Sequence, residues 1–424
     1  MLSRTKVRVG IGSAAAVAIA AGALTTAYAS PWSHGNGSTS ANASYSSKWS
    51  PNVATGTTTL KTVSSTVPSN GDVNPYGVAV VPRSIGNLVR GDILVSNYNN
   101  KANLNGTGST IVEINPNTGK KTLFAWLTQS RLPSKCPGGI GLTTALTVLS
   151  NGWVVVGSLP TTDGTYKTAG TGCLIVLNSQ GRAKAVITGH GIAGPWGLAA
   201  WEHGDDVQLF VTNVLNGVTW RSGQQVNKGT VVRLKLDVTR QTFRLDTAVI
   251  VGSGFPEMVS KDGFVQGPTG VTLVGTTLFV ADSLANRIAQ INWATTRHNS
   301  AGLGFTLAEA GLLKMPLGLT SFGGFLLTVN GANGNLIAIS LKGQVVLVKA
   351  LDTTAVSGSS PGAGALFGLA PSWDGKWLFY VNDISNNLSA VGPLRNGGTG
   401  NYWGGYNYDS TYMSNYNTMY GSHS

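Results

Sequence analysis

One recurring pattern decides what this chain can become. Between Thr57 and Arg395, short apolar strands separated by polar turns return in groups, most clearly in QGPTGVTLVGTTLFVADSLANRIAQIN at 266–292. That copy reads as a turn, a strand over 271–274, a tight turn, a strand over 278–281, a polar turn and a strand over 287–291. Five other copies align with it: NPYGVAVV from Asn74, TTALTVL from Thr143, GPWGLAAW from Gly194, MPLGLTSF from Met315 and LFGLAPSW from Leu366. Each leads into two further strand-like runs and usually a fourth, such as KTLFAWL, AKAVITG, TAVIVGS or VVLVKAL. A four-stranded unit of about 40–50 residues cannot bury both faces alone, and stacking such units around an axis makes a propeller. Taking Gly77, Ala145, Gly197, Gly270, Gly318 and Gly368 as anchors, the spacings are 68, 52, 73, 48 and 50, none wide enough to hide another unit. The expected fold is all-β: a six-bladed propeller of four-stranded antiparallel blades.

Composition agrees. Glycine supplies 57 of 424 residues and charged residues only 11%, against roughly 25% in an average soluble chain. This is the signature of many tight turns and a neutral Asn/Ser/Thr surface. The sixth copy stops after its third strand, because a Gly/Asn/Tyr-rich stretch begins beyond Arg395. A sheet left without its outer strand would present an open edge. Thr57–Val67 (TTTLKTVSSTV) alternates like a lone strand ahead of the first copy, and is expected to complete the last blade and close the ring.

Pro268-Thr269-Gly270-Val271 followed by LFVADSLANRI resembles the NHL repeat, whose pattern is Pro-x-Gly-Val-Ala-Val, an aromatic-Val-Ala-Asp strand and Asn-Arg-Ile. Pro75-Tyr76-Gly77-Val78-Ala79-Val80 matches the opening equally well; Pro195-Trp196-Gly197 and Pro316-Leu317-Gly318 carry the opening alone. The second copy departs, with Thr143 and Ala145 where Pro and Gly stand elsewhere. The resemblance implies a propeller, commonly six-bladed, and says more about fold than about activity. Related six-bladed proteins include lactonases and lyases, which need a metal–carboxylate cluster or a histidine-based site.

Within this frame one face carries the long loops: 98–108, 159–172 and 214–228, with the connections 252–267 and 353–364. Long loops gathered on a rigid scaffold are where binding usually occurs. The residues preceding the anchors, Tyr76, Thr144, Trp196, Thr269, Leu317 and Phe367, are placed at the axial mouth of that face. Three aromatics in six positions suit stacking on a sugar or apolar ligand, or a plug for the channel. The carboxylates and histidine of the same face, Asp72, Asp163, His190, Glu257, Asp262, Asp282 and Asp383, follow no motif that links them. His190 and Asp282 join the ligand-binding candidates, and no catalytic or metal-ligating residue is assigned. The residues ending the second strands (Asn97, Asn213, Asp282, Asn330, Asn382) are read as turn formers. As a ring of Ca²⁺ ligands they would be mostly neutral amides, so the expectation is no cofactor, with Ca²⁺ the one candidate.

Residues 1–29 have a basic start (Arg4, Lys6, Arg8), an apolar run and Ala27-Tyr28-Ala29, the layout of a secretory signal peptide. Residues 30–56 read as a Ser/Asn/Gly-rich linker, 57–395 as the propeller, and 396–424 as a disordered tail holding six of the twelve tyrosines. Cys136 and Cys173 are expected to pair in a compartment that permits disulfides. The formal charge of +12 falls to +9 without the leader, and its bases are scattered singly along the chain, unlike the patches of nucleic-acid binders. Taken together, the sequence predicts a secreted, non-catalytic module binding a protein, polysaccharide or small molecule through its loop-rich face, with neither nucleic acid nor a membrane span. The alternative is a metal-dependent lactonase- or lyase-type enzyme at the axial mouth.

Overall fold

A computed structural model describes residues 58–203, 206–217, 224–260 and 264–394. Six antiparallel sheets follow one another around an axis. Blade one holds Val73–Val80, Ile93–Asn99, Thr110–Ile114 and Lys121–Trp126; blade two, Leu142–Val148, Val154–Ser158, Cys173–Leu177 and Ala183–Ile187. Blade three, Gly194–His203, Asp206–Val214, Val226–Val238 and Phe243–Ser260, gains a fifth strand, Phe264–Gln266. Blades four and five run Pro268–Val274, Thr277–Asp282, Arg287–Ile291, Phe305–Glu309 and Pro316–Phe322, Phe325–Asn330, Asn335–Ser340, Val345–Ala350. Blade six has Leu366–Pro371, Leu378–Asn382 and Asn387–Gly392, and its outer strand is Thr59–Ser65. The pairing Thr59↔Gly392 through Ser65↔Asn387 closes the ring as the sequence predicts, with one register shift between Thr62 and Ser64.

The anchor glycines are explained by how closely neighbouring blades approach. A Cβ on Gly270 would stand 2.2 Å from the Leu317 carbonyl oxygen, one on Gly318 2.2 Å from that of Phe367, and one on Gly368 2.2 Å from that of Tyr76. Any side chain there forces the inner strands apart. Hydroxyls on the second strands fasten these approaches. Ser96 Oγ accepts from the Gly77 amide (3.0 Å) and donates to the Thr143 carbonyl of the next blade (2.8 Å). Thr212 Oγ1 repeats this with the Gly197 amide (2.8 Å) and the Thr269 carbonyl (2.6 Å).

A second latch recurs at the blade entrances. Asn74 (φ 58°) and Met315 (φ 54°) precede prolines in left-handed backbone. Their amides donate to turn residues of the preceding blade, Asn74 to Asn386 Oδ1 (2.7 Å) and Met315 to Asn286 Oδ1 (2.6 Å). Between the blades lie five apolar clusters, the largest running through the axis from blade one to blade six.

Two expectations about the loops are corrected. The connection 252–267 is not a loop: Phe243–Ser260 continues past its own sheet and pairs with Phe264–Gln266, Met258 opposite Gln266. Gly252, Gly254 and Pro256 look like strand breakers in sequence. Here Pro256 sits opposite Asn227 beside a register shift, where a missing amide is tolerated. The expected loop 214–228 likewise ends early, because the third strand of blade three starts at Val226. Cys136 and Cys173 form the disulfide, with Cα atoms 5.6 Å apart. That bond indicates an oxidising, extracytoplasmic setting. Among the described residues no helix is long and apolar enough to cross a membrane. The leader, the linker 30–56, Asp262 and the tyrosine-rich tail lie outside the described residues.

Candidate active site at the axial mouth

The residues expected at the mouth are brought together, but against one another. Tyr76 stacks on Phe367 (ring centroids 4.0 Å apart) and on Tyr98 (4.6 Å), while Trp196 meets Tyr76 edge-on at 5.5 Å. Phe264, carried by the extra hairpin of blade three, meets Tyr98 at 6.0 Å. Tyr76, Trp196, Leu317 and Phe367 are all buried in the axial cluster. The polar members are engaged too: Thr269 Oγ1 donates to carbonyls of blade five, and Thr144 Oγ1 donates to the Trp196 carbonyl. The strand geometry thus turns the aromatic ring into packing across the axis.

Of the five expected turn formers, Asn382 and Asp282 bond their own turns, and the others bond elsewhere. Asn213 Oδ1 accepts the Ala193 amide (3.1 Å), Asn330 Oδ1 the Lys314 amide (3.1 Å) and Asn382 Oδ1 the Ser385 amide (3.0 Å). Asn97 is held through its Nδ2, which donates to Thr66 O (3.1 Å). Asp282 is fully buried and paired with Arg287 at 2.9 Å. Arg287 is itself tied to Thr306 Oγ1 and Leu303 O. Asn382 and Asp282 thus bond their own turns, Asn213 and Asn330 bond the chain entering the first strand of their own blades, and Asn97 Oδ1 is buried without a partner. Among the described residues no three His, Cys, Asp or Glu come together. His190 is exposed in a tight turn closed by the Ile192–Gly189 bond, and Asp163 is exposed and bonded to Thr165 and Thr168.

Two carboxyls stand apart. Asp383 follows Asn382 at the axial end of blade six; burial among protein atoms pushes its pKa up to about 7, with no cation acting against it. Its charge in turn raises the Tyr76 phenol, which burial already lifts far above its ordinary range. Glu257, on the long strand of blade three, has no exposed surface and its carboxyl oxygens make no well-formed hydrogen bond, with the Asn216 and Leu215 amides the donors nearby. Burial raises its pKa to about 8, although the Asn216 and Leu215 amides and the Lys228 ammonium pull it down. Close by in the axial cluster, Trp196 Nε1 is a buried donor without an acceptor, and Asn74 Oδ1 a buried acceptor without a donor. Titrating groups detuned by burial are concentrated in functional sites. Sequence reasoning gathered Asp383 and Glu257 with five other acidic or imidazole groups and could not rank them. The missing signal was burial without a counter-charge, which no spacing reveals.

No family model matches the chain, and no curated protein matches it. Solved structures do share the ring. A gluconolactonase from Xanthomonas campestris is 13% identical, with 82% of this chain and 96% of that one covered and a TM-score of 0.49. A PQQ-bound aldose sugar dehydrogenase from Streptomyces coelicolor is 15% identical over 80% and 99% (TM-score 0.46), and a nidogen/laminin complex 15% over 73% and 97% (0.42). At these identities the likeness describes the fold and assigns no reaction. The expectation of a non-catalytic binding module is nonetheless corrected. The aromatics expected to receive a ligand are occupied by each other.

Proposed function

We propose that this chain is an exported, NHL-like propeller enzyme that moves protons at its axial mouth, opening a small cyclic ester or a comparable carbonyl substrate. The observation that carries the reading is Asp383, a carboxyl at the mouth held near pH 7 by desolvation alone. A base poised near the working pH combines a useful population of its ionised form with enough strength to take a proton. In this reading the Asp383 carboxylate accepts a proton from water as the water oxygen bonds to the lactone carbonyl carbon. The ring C–O bond then breaks and the leaving alkoxide takes that proton back. Trp196 Nε1–H is a buried donor without an acceptor in the axial cluster, and would stabilise the developing oxyanion only if the aromatic packing opens to admit the substrate. Glu257, protonated at neutral pH, is the second acid of this face. Among the described residues no three His, Cys, Asp or Glu assemble for a metal, so this reading routes no step through one.

Export follows the leader-like residues 1–29, and N-terminal sequencing of the secreted protein should begin at Ser30. A panel of five- and six-membered lactones, assayed by proton release, tests the activity. Turnover should rise through about pH 7, and Asp383→Asn should lower kcat/KM by roughly 10²–10⁴-fold. Turnover that Asp383→Asn leaves intact, or no turnover across the panel, overturns the assignment.

A further inference from the structure

The face opposite the mouth gathers charge that the sequence disperses. It is built from the turns joining first to second and third to fourth strands. Arg83 and Arg90 lie in the 81–92 turn of blade one, Arg182 and Lys184 at the outer turn of blade two, Arg240 and Arg244 at that of blade three; all six are exposed. The pairs stand 99 (Arg83 to Arg182) and 58 (Arg182 to Arg240) residues apart in sequence, yet hydrogen bonds fasten their turns side by side. The Asn87 amide of blade one donates to Ser179 O of blade two (2.9 Å). Trp153 Nε1 of blade two donates to Thr239 O of blade three (2.7 Å).

Acids neutralise the blade-three part of this sector and leave the blade-one and blade-two cations largely uncompensated. On the blade-three side Glu202 is bonded to Ser150, Asp206 is half-buried and Asp237 stands opposite Arg244 on the ladder. Asp92 and Glu113 are buried, Asp92 bonded to Asn115 and Glu113 to the Val89 amide. Asp237 and Asp246 are exposed on blade three. Among the described residues the ion pairs are Arg287–Asp282 and Lys376–Asp374, and neither uses these six cations. At the edge of the sector Arg90 lies 4.4 Å over the ring of Trp373, which is 45% exposed.

We propose that this face docks a carboxylated polysaccharide. Guanidinium groups present a planar fork that matches carboxylates two bonds at a time, and the exposed indole beside Arg90 offers a flat surface for a sugar ring. The disulfide places the chain where acidic glycans, rather than nucleic acids, are the polyanions at hand. The proposal does not depend on any reaction at the mouth.

The test uses the full chain with polygalacturonate, neutral dextran and a DNA duplex as probes, each titrated over a salt series. Polygalacturonate should bind with a salt-dependent affinity and dextran should not bind. Arg182→Glu/Arg240→Glu/Arg244→Glu should weaken polygalacturonate binding at least tenfold. Lys101→Glu/Lys135→Glu/Lys167→Glu, an equal change of net charge on the loop-rich side, should change it less than twofold. Matching melting curves establish that the variants fold; should the triple variant fail, Arg182→Gln and Arg240→Gln singly should each weaken binding severalfold. Equal losses from both triple variants, no polygalacturonate binding at low salt, or tighter binding of the duplex at the same salt would each overturn the proposal.

Discussion

Blades four and six place their acids at almost the same point of the repeat and treat them in opposite ways. In blade four the second strand ends on Asp282, and across the ladder Arg287 meets it. In blade six the same two positions are Asn382 and Asn387. The turn is still made, by Asn382 Oδ1 and the Ser385 amide, while the acid moves one residue on, to Asp383. No guanidinium follows it. A one-residue displacement therefore separates an acid that holds a turn from an acid that is free to titrate. Repeats of this kind preserve backbone geometry and leave charge to vary from copy to copy.

The largest expected effect breaks the blade-four side of this contrast. Arg287→Ala leaves Asp282 buried and unpaired, and should cost about 3–5 kcal/mol in urea unfolding; Asn387→Ala at the matching site should cost under about 1 kcal/mol. Next comes Glu257, a carboxyl without a well-formed hydrogen bond. Its folded-state pKa lies above its unfolded value of 4.5, so the folded protein holds a proton the unfolded chain releases, and stability falls as pH rises from about 4.5 to about 8. Glu257→Gln, neutral at every pH, should stabilise the fold by roughly 2–3 kcal/mol at pH 7, with the gain gone at pH 4. Thermal melts across that range read the sign directly. A gain that is constant with pH would mean that the carboxyl is solvated.

A smaller effect tests the latches on either side. Asn286→Ala and Asn386→Ala each remove one acceptor from the next blade's entrance and should cost about 1 kcal/mol. Both should also loosen the mouth, since Asn74 leads into Tyr76 and Met315 into Leu317, and the effect should be larger for Asn386→Ala because Tyr76 stacks on two rings. The smallest expected shift comes from moving a cation into blade six. Asn387→Arg should lower the Asp383 pKa and carry any pH break in turnover below 7, by less than one pH unit if the arginine stays solvated.

The ring was legible because its causes are local and repeated. Gly270, Gly318 and Gly368 mark where blades touch, and the alternation of Thr59–Ser65 marks a strand in search of a sheet. The mouth was legible in membership but not in state. Tyr76, Trp196 and Phe367 do come together at the axis, yet whether aromatic side chains close on one another depends on distances between blades that are far apart in sequence. The hairpin of blade three was hidden because Gly252, Gly254 and Pro256 weaken any local strand signal, and tertiary pairing with 226–238 overrides them. The basic sector was invisible for the same reason: Arg83, Arg182 and Arg240 become neighbours only once the turns interlock.

The strand Thr59–Ser65 pairs with residues more than 320 positions later. In a chain made from its N-terminus, this early strand is the last to find its place. It has to be kept from pairing elsewhere until Gly392 has followed it out, and contacts of such separation form slowly. Five blades can mature as they appear; the sixth is a clasp that fastens only when the whole necklace is strung.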